Sequence, residues 1–148
     1  MTVQIGSPLS GSGGKFVVQN LNLGATAGTN VTEQYIGNVT VPAGACPKYM
    51  YIYAMFRIRI NDPSTNQSAT CNIRVGTAGT IADSLIATLS QTAHGEFYQG
   101  TPLYLIGVLT AGVDYVAGSV NKVGLTAQNN FSNANNLIGA SSVVVFGE

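Results

Sequence analysis

Residues 49–60 read YMYIYAMFRIRI, twelve positions without glycine, proline or an acid. Successive side chains of a β-strand leave opposite faces, so the stretch divides by parity. Met50, Ile52, Ala54, Phe56, Ile58 and Ile60 form one set, and all are apolar. Tyr49, Tyr51, Tyr53, Met55, Arg57 and Arg59 form the other. The first set suits a strand face lying on a core. The second has two readings. It is a further internal core face, or it is a surface that meets another protein. Burial would require a partner for every phenol hydroxyl and an acid for each guanidinium, and the chain holds six acids in all. Tyr, Met and Arg are the residue types enriched at protein interfaces. Tyr49, Tyr51, Tyr53, Met55, Arg57 and Arg59 are therefore the candidate protein interface, with the internal face as the alternative.

The rest of the chain alternates short β-like runs with Gly, Asn, Asp and Pro. Further strands are expected near 15–23, 33–41, 69–76, 83–90, 101–110, 113–117, 120–127 and 142–147. In 69–76, Cys71, Ile73 and Val75 oppose Thr70, Asn72 and Arg74. In 33–41, Tyr35, Gly37, Val39 and Val41 share one side. No amphipathic helix stands out, although the Ala-rich stretch 78–89 has room for one helical turn. The absence of Trp argues against an immunoglobulin domain, and no repeat of fixed period suggests a solenoid. The expected fold class is all-β: a jelly-roll-like antiparallel β-sandwich of about eight strands. It would occupy 15–148 as a single domain, behind a flexible N-terminal arm at 1–14 that contains the run SPLSGSGG.

Composition narrows the partners. Charged residues make up 8% of the chain and the net charge is zero, against about a quarter charged in ordinary soluble domains. No basic patch tracks a phosphate backbone, so no nucleic acid is expected. No long apolar run or basic leader points to a membrane or to secretion. A surface with so little charge associates readily. Cys46 and Cys71 are read as free thiols. If 49–60 turned straight back onto 69–76, they would stand roughly 40 Å apart. A chain crossing to another sheet would remove that objection.

Chemistry is hard to find. The one histidine, His94, has Glu96 two residues away, but a metal site needs three or four ligands and no further His or Cys lies nearby. Glu33, Asp62, Asp83 and Asp114 are scattered at run edges and turns. No G-x-S-x-G elbow is present, and GSGGK and GTAGT lack the spacing and following helix of a phosphate loop. No catalytic, metal-binding or cofactor-binding residues are expected, no cofactor is implied, and the chain is not expected to be an enzyme.

Residues 39–86 carry a recognisable order. VTVPAGA leads into the long strand ending FRIRI, then the polar loop NDPSTNQSAT, then CNIRVGTAGTIADSLI. This order resembles a recurrent domain of tailed-bacteriophage structural proteins, with Cys46–Pro47 standing where a Gly/Asn linker is usual. The resemblance covers about a third of the chain. It implies a virion component, assembled in the host cytoplasm, and most simply a capsid decoration (cement) protein that binds and stabilises the assembled shell. Its partners would be the major capsid protein and further copies of itself, with a homotrimer favoured. The alternative is a tail or fibre jelly-roll module that binds host-surface carbohydrate, with Tyr98, Tyr104 or Tyr115 as the stacking platform.

Overall fold

A computed structural model of the chain describes residues 16–23, 26–27, 32–59, 67–93, 101–129, 137–138 and 141–148. Eight long strands carry the fold: β1 (Phe16–Leu23), β3 (Gln34–Val41), β4 (Tyr49–Arg59), β5 (Gln67–Gly76), β6 (Ser84–Ala93), β7 (Thr101–Thr110), β8 (Asn121–Asn129) and β10 (Ser141–Gly147). Two short strands, β2 (Thr26–Ala27) and β9 (Leu137–Ile138), pair with each other. The pairing is nested and antiparallel: β5 with β6, β4 with β7, β3 with β8, β1 with β10. The first half of the chain thus lies against the second half in reverse order, as a long hairpin wound into a sandwich. One sheet runs β1-β10-β4-β7, with β9 against the end of β4, and the other runs β3-β8-β5-β6. Among the described residues there is no helix.

The parity of β4 is obeyed. Met50, Ile52, Ala54, Phe56 and Ile58 are at most 1% exposed. They share one core with Val143 and Val145 of β10, Cys71, Ile73 and Val75 of β5, and Val123, Leu125 and Ala127 of β8. Burying a side chain such as Phe56 contributes about 2–3 kcal/mol. Both cysteines are buried and free, and burial pushes the Cys46 thiol up to about 11 and the Cys71 thiol up to about 12.

Several expectations need correction. Residues 113–117 are not a strand. Gly112 takes a positive φ of 78°, the Asp114 carboxylate accepts the Thr110 amide at 2.7 Å, and the run becomes a turn with a single bridge from Ala111 to Tyr115. β4 does not turn straight back onto β5, because the two lie in different sheets. Tyr35 leaves the side of Val39 and Val41. A bulge between Tyr35 and Gly37 shifts the parity, and the Tyr35 ring lies over Gly124 with its hydroxyl at Asn38. The Ala-rich stretch holds a turn at 81–82 and then β6. The arm at 1–14 lies outside the described residues.

Candidate protein interface

The two outer faces of this sandwich are unlike each other. On the β3-β8-β5-β6 sheet the outer face is mainly polar, with Leu85 exposed on β6, and its Glu33 and Arg74 are paired within the chain. The Glu33 carboxylate accepts from Arg74 Nε and Nη2, both at 2.7 Å, from Asn72 Nδ2 at 2.9 Å and from the buried Thr126 hydroxyl. The paired guanidinium holds Glu33 well below the usual carboxylate range, at about 2, against the opposing effect of burial. Arg74 Nη1 also donates to the Asp83 carbonyl at 2.7 Å. The Asp83 carboxylate in turn accepts the amides of Ala78, Gly79 and Thr80, which ties the loop between β5 and β6.

The β1-β10-β4-β7 sheet is the opposite case. Register places its outward residues in rows across the strands. Val17, Phe146, Tyr51 and Val108 form one row. Gln19, Val144, Tyr53 and Ile106 form the next, then Ser142, Met55 and Tyr104, then Arg57 beside Pro102. The large side chains of β4 and β7 in these rows are open to solvent: Tyr53 is 46% exposed, Tyr104 53%, Ile106 63% and Val108 62%, while Gln19, Val144, Met55 and Ser142 are half-buried. Tyr53 and Tyr104 pack ring to ring at 6.1 Å, as do Tyr49 and Tyr51 at 6.3 Å, each pair tilted.

Of the sequence-derived candidates, Tyr49, Tyr51, Tyr53 and Arg57 are exposed on this face, and Met55 is half-buried there. The reading of that side as a second internal core is set aside. Arg59 belongs to β4, but its side chain lies outside the described residues. Among the described residues the ion pair is Arg74 with Glu33, so that acid goes to the polar sheet. The sequence reading missed Val17, Leu21, Tyr104, Ile106, Val108 and Phe146 as members of the same surface. One signal for them is present in LYLIGVL, residues 103–109, which is apolar at both parities. A strand apolar on both sides has something to cover each.

The tyrosines proposed as a sugar platform are not brought together. Tyr115 is buried, with its hydroxyl donating to the Cys46 carbonyl at 2.7 Å, while Tyr104 stands on the open sheet. Tyr98, His94, Glu96 and Asp62 lie outside the described residues. A shallow depression of about 270 Å³ near Asp83, Asp114, Tyr115 and Asn121 is lined by groups already engaged. Asn121 Nδ2, for instance, donates to the Val116 and Ser119 carbonyls. Among the described residues, no group of three His, Cys, Asp or Glu side chains is placed to hold a metal ion.

No protein-family model and no curated protein sequence matches this chain. Shape does find relatives. The fold is a jelly roll. A chain of the infectious bursal disease virus VP2 subviral particle superposes with a TM-score of 0.57 at 8% identity, covering 90% of this chain and 33% of that one. The infectious bursal disease virus Gx strain gives 0.53 at 8% identity, covering 90% and 33%. The T13 particle of the same virus gives 0.50 at 8%, covering 90% and 31%. This chain therefore spans about a third of the length of those it resembles. At such identity the likeness is one of architecture.

Proposed function

We propose that this jelly roll is a structural component of a tailed-bacteriophage virion, working as a capsid decoration protein. The observation that carries the reading is the bare Tyr- and aliphatic-rich face of the β1-β10-β4-β7 sheet on a chain with 8% charged residues. Monomeric soluble proteins rarely leave so large an apolar patch in water. The order of motifs in 39–86 supports the phage assignment, and the capsid jelly rolls of similar architecture are consistent with it. The partners are the major capsid protein and other copies of this chain. The role is passive: each bound copy covers surface on the shell and stabilises it by mass action. The protein acts in the virion, assembled in the host cytoplasm, with no enzymatic step and no cofactor.

The carbohydrate reading ranks second. Exposed rings offer stacking surface, but a sugar site also needs hydrogen-bonding groups beside the rings. Here the neighbours of Tyr51 and Tyr53 are Val108, Ile106, Val144 and Phe146.

Sedimentation with purified capsids tests the reading. The wild type co-sediments with shells, and the double variant Tyr53→Ala, Arg57→Ala stays folded with weakened self-association or shell binding. A wild type that ignores shells while giving saturable binding on a glycan array would replace decoration with the fibre reading.

A further inference from the structure

The occupant of the bare sheet face can be argued from its size, its flatness and the position of its charges. The nine most open apolar residues on it are Val17, Leu21, Tyr49, Tyr51, Tyr53, Tyr104, Ile106, Val108 and Phe146. Taking side chains of about 150–250 Å² at their observed exposure, they present roughly 800 Å². That is about the area each partner contributes to a stable standard-size interface. A four-stranded sheet packs well against another sheet, face to face at about 10 Å.

Charge then selects how two copies meet. A face that covers its own copy closes about a two-fold axis lying between the sheets. An axis running along the strands stacks Arg57 on its own copy and is unfavourable. An axis across the strands, near Tyr53, reverses them. Tyr53 is four residues from Tyr49 and four from Arg57, so Arg57 of one copy then lies over Tyr49 of the other. Glu148 follows Gly147, whose register partner is Met50, so it stands beside Tyr49 at that end and is exposed. Arg57 thereby gains a carboxylate and a phenol ring from the second copy, both favourable to a guanidinium. The same arrangement places Tyr53 and Ile106 at the dry centre of the patch, where binding energy concentrates.

We infer that the outer face of β1-β10-β4-β7 is occupied by a second copy of this chain, packed face to face with strands antiparallel across a two-fold axis near Tyr53. This rests on the reading of the face as an assembly surface, and it names the partner. Contact with the shell then falls on other parts of the molecule.

The test combines the free mass of the full chain by light scattering with co-sedimentation on capsids. The wild type is expected at about twice 15.3 kDa. Ile106→Asp, at an open position that leaves the core intact, is expected to be a folded monomer by circular dichroism, with the dissociation constant raised at least about 100-fold. Arg57→Glu weakens the pair, and adding Glu148→Arg restores it. A dimer unaffected by Ile106→Asp, or a charge swap that fails to restore pairing, overturns the inference. So does a wild-type mass near three times 15.3 kDa that Ile106→Asp leaves unchanged, although shell binding by that trimer would leave the decoration reading standing. A monomeric wild type that Ile106→Asp releases from shells assigns the face to the capsid instead. A dimer that Ile106→Asp splits, with neither form binding shells, keeps the inference and removes the decoration reading.

Discussion

Glu33→Gln is the substitution whose effect can be worked out most fully. The carboxylate is 18% exposed and its partner guanidinium 15%, so solvent screens the pair weakly. Glu33 is lowered from 4.5 to about 2, chiefly by its hydrogen bonds to Arg74. A depression of that size corresponds to about 3 kcal/mol of stability. The sign follows from the direction. The native state holds the ionised form more tightly than the unfolded chain does, so the contribution is complete above pH 4.5 and lost as pH falls through 2. By pH 3 roughly 2 of those 3 kcal/mol are gone. Glutamine keeps one acceptor for Thr126 and Asn72 but turns an amide donor toward Arg74. Removing one member of such a pair leaves the other short of a partner. Urea unfolding at pH 7 should therefore give a variant about 2–3 kcal/mol less stable, with a melting point lower by roughly 6–10 °C. At pH 3 the gap should shrink to about 1 kcal/mol. A variant equal to the wild type at pH 7, or a gap that stays constant with pH, would refute the assignment of Glu33 as an ionised, partly buried partner of Arg74.

Two further outcomes follow from local geometry. Gly76→Ala would drive a methyl group into the Asp83 carboxylate, expelling it from the Ala78, Gly79 and Thr80 amides; the urea midpoint should fall by the equivalent of about 2–3 kcal/mol while the oligomeric state is kept. Cys46 and Cys71, with thiols pushed up to about 11 and 12, carry about one part thiolate per thousand or less at pH 8. A thiol reagent should find neither in the native protein and both in urea, so rapid native labelling of either would contradict their burial.

Much of the fold was legible because β4 and β5 each commit one parity to the core. Met50 through Ile58 and Cys71 through Val75 lie where alternation puts them. Alternation failed where a local device overrode it. The VDYVA run looks like a strand, but Gly112 and the Asp114 carboxylate make a turn of it. The extra residue in the Tyr35–Gly37 bulge sends Tyr35 to the other side. Connectivity was beyond the pattern altogether, since nothing in NDPSTNQSAT tells a hairpin from a crossing between sheets. The candidate surface was half visible for the same reason. One strand reveals its own two faces, but only the register of β10 and β7 on β4 shows that Phe146, Val108 and Ile106 extend the tyrosine row. The Glu33–Arg74 pair spans 41 positions, and no local spacing announces it.

The nested pairing also sets an order of events. Phe16 finds its partner in Gly147, so β1 stays unsatisfied until nearly the whole chain described here has been made. β10 enters the sheet between β1 and β4, and pairings this remote in sequence are slow to close. Until it arrives, the rows that hold Phe146 and Val144 are incomplete, and the tyrosines of β4 flank an open edge. The final strand insertion thus completes the surface and does not create it: the half on β4 and β7, with Tyr51 beside Val108 and Tyr53 beside Ile106, forms without it, and β10 adds Phe146 and Val144 while closing the open edge of β4.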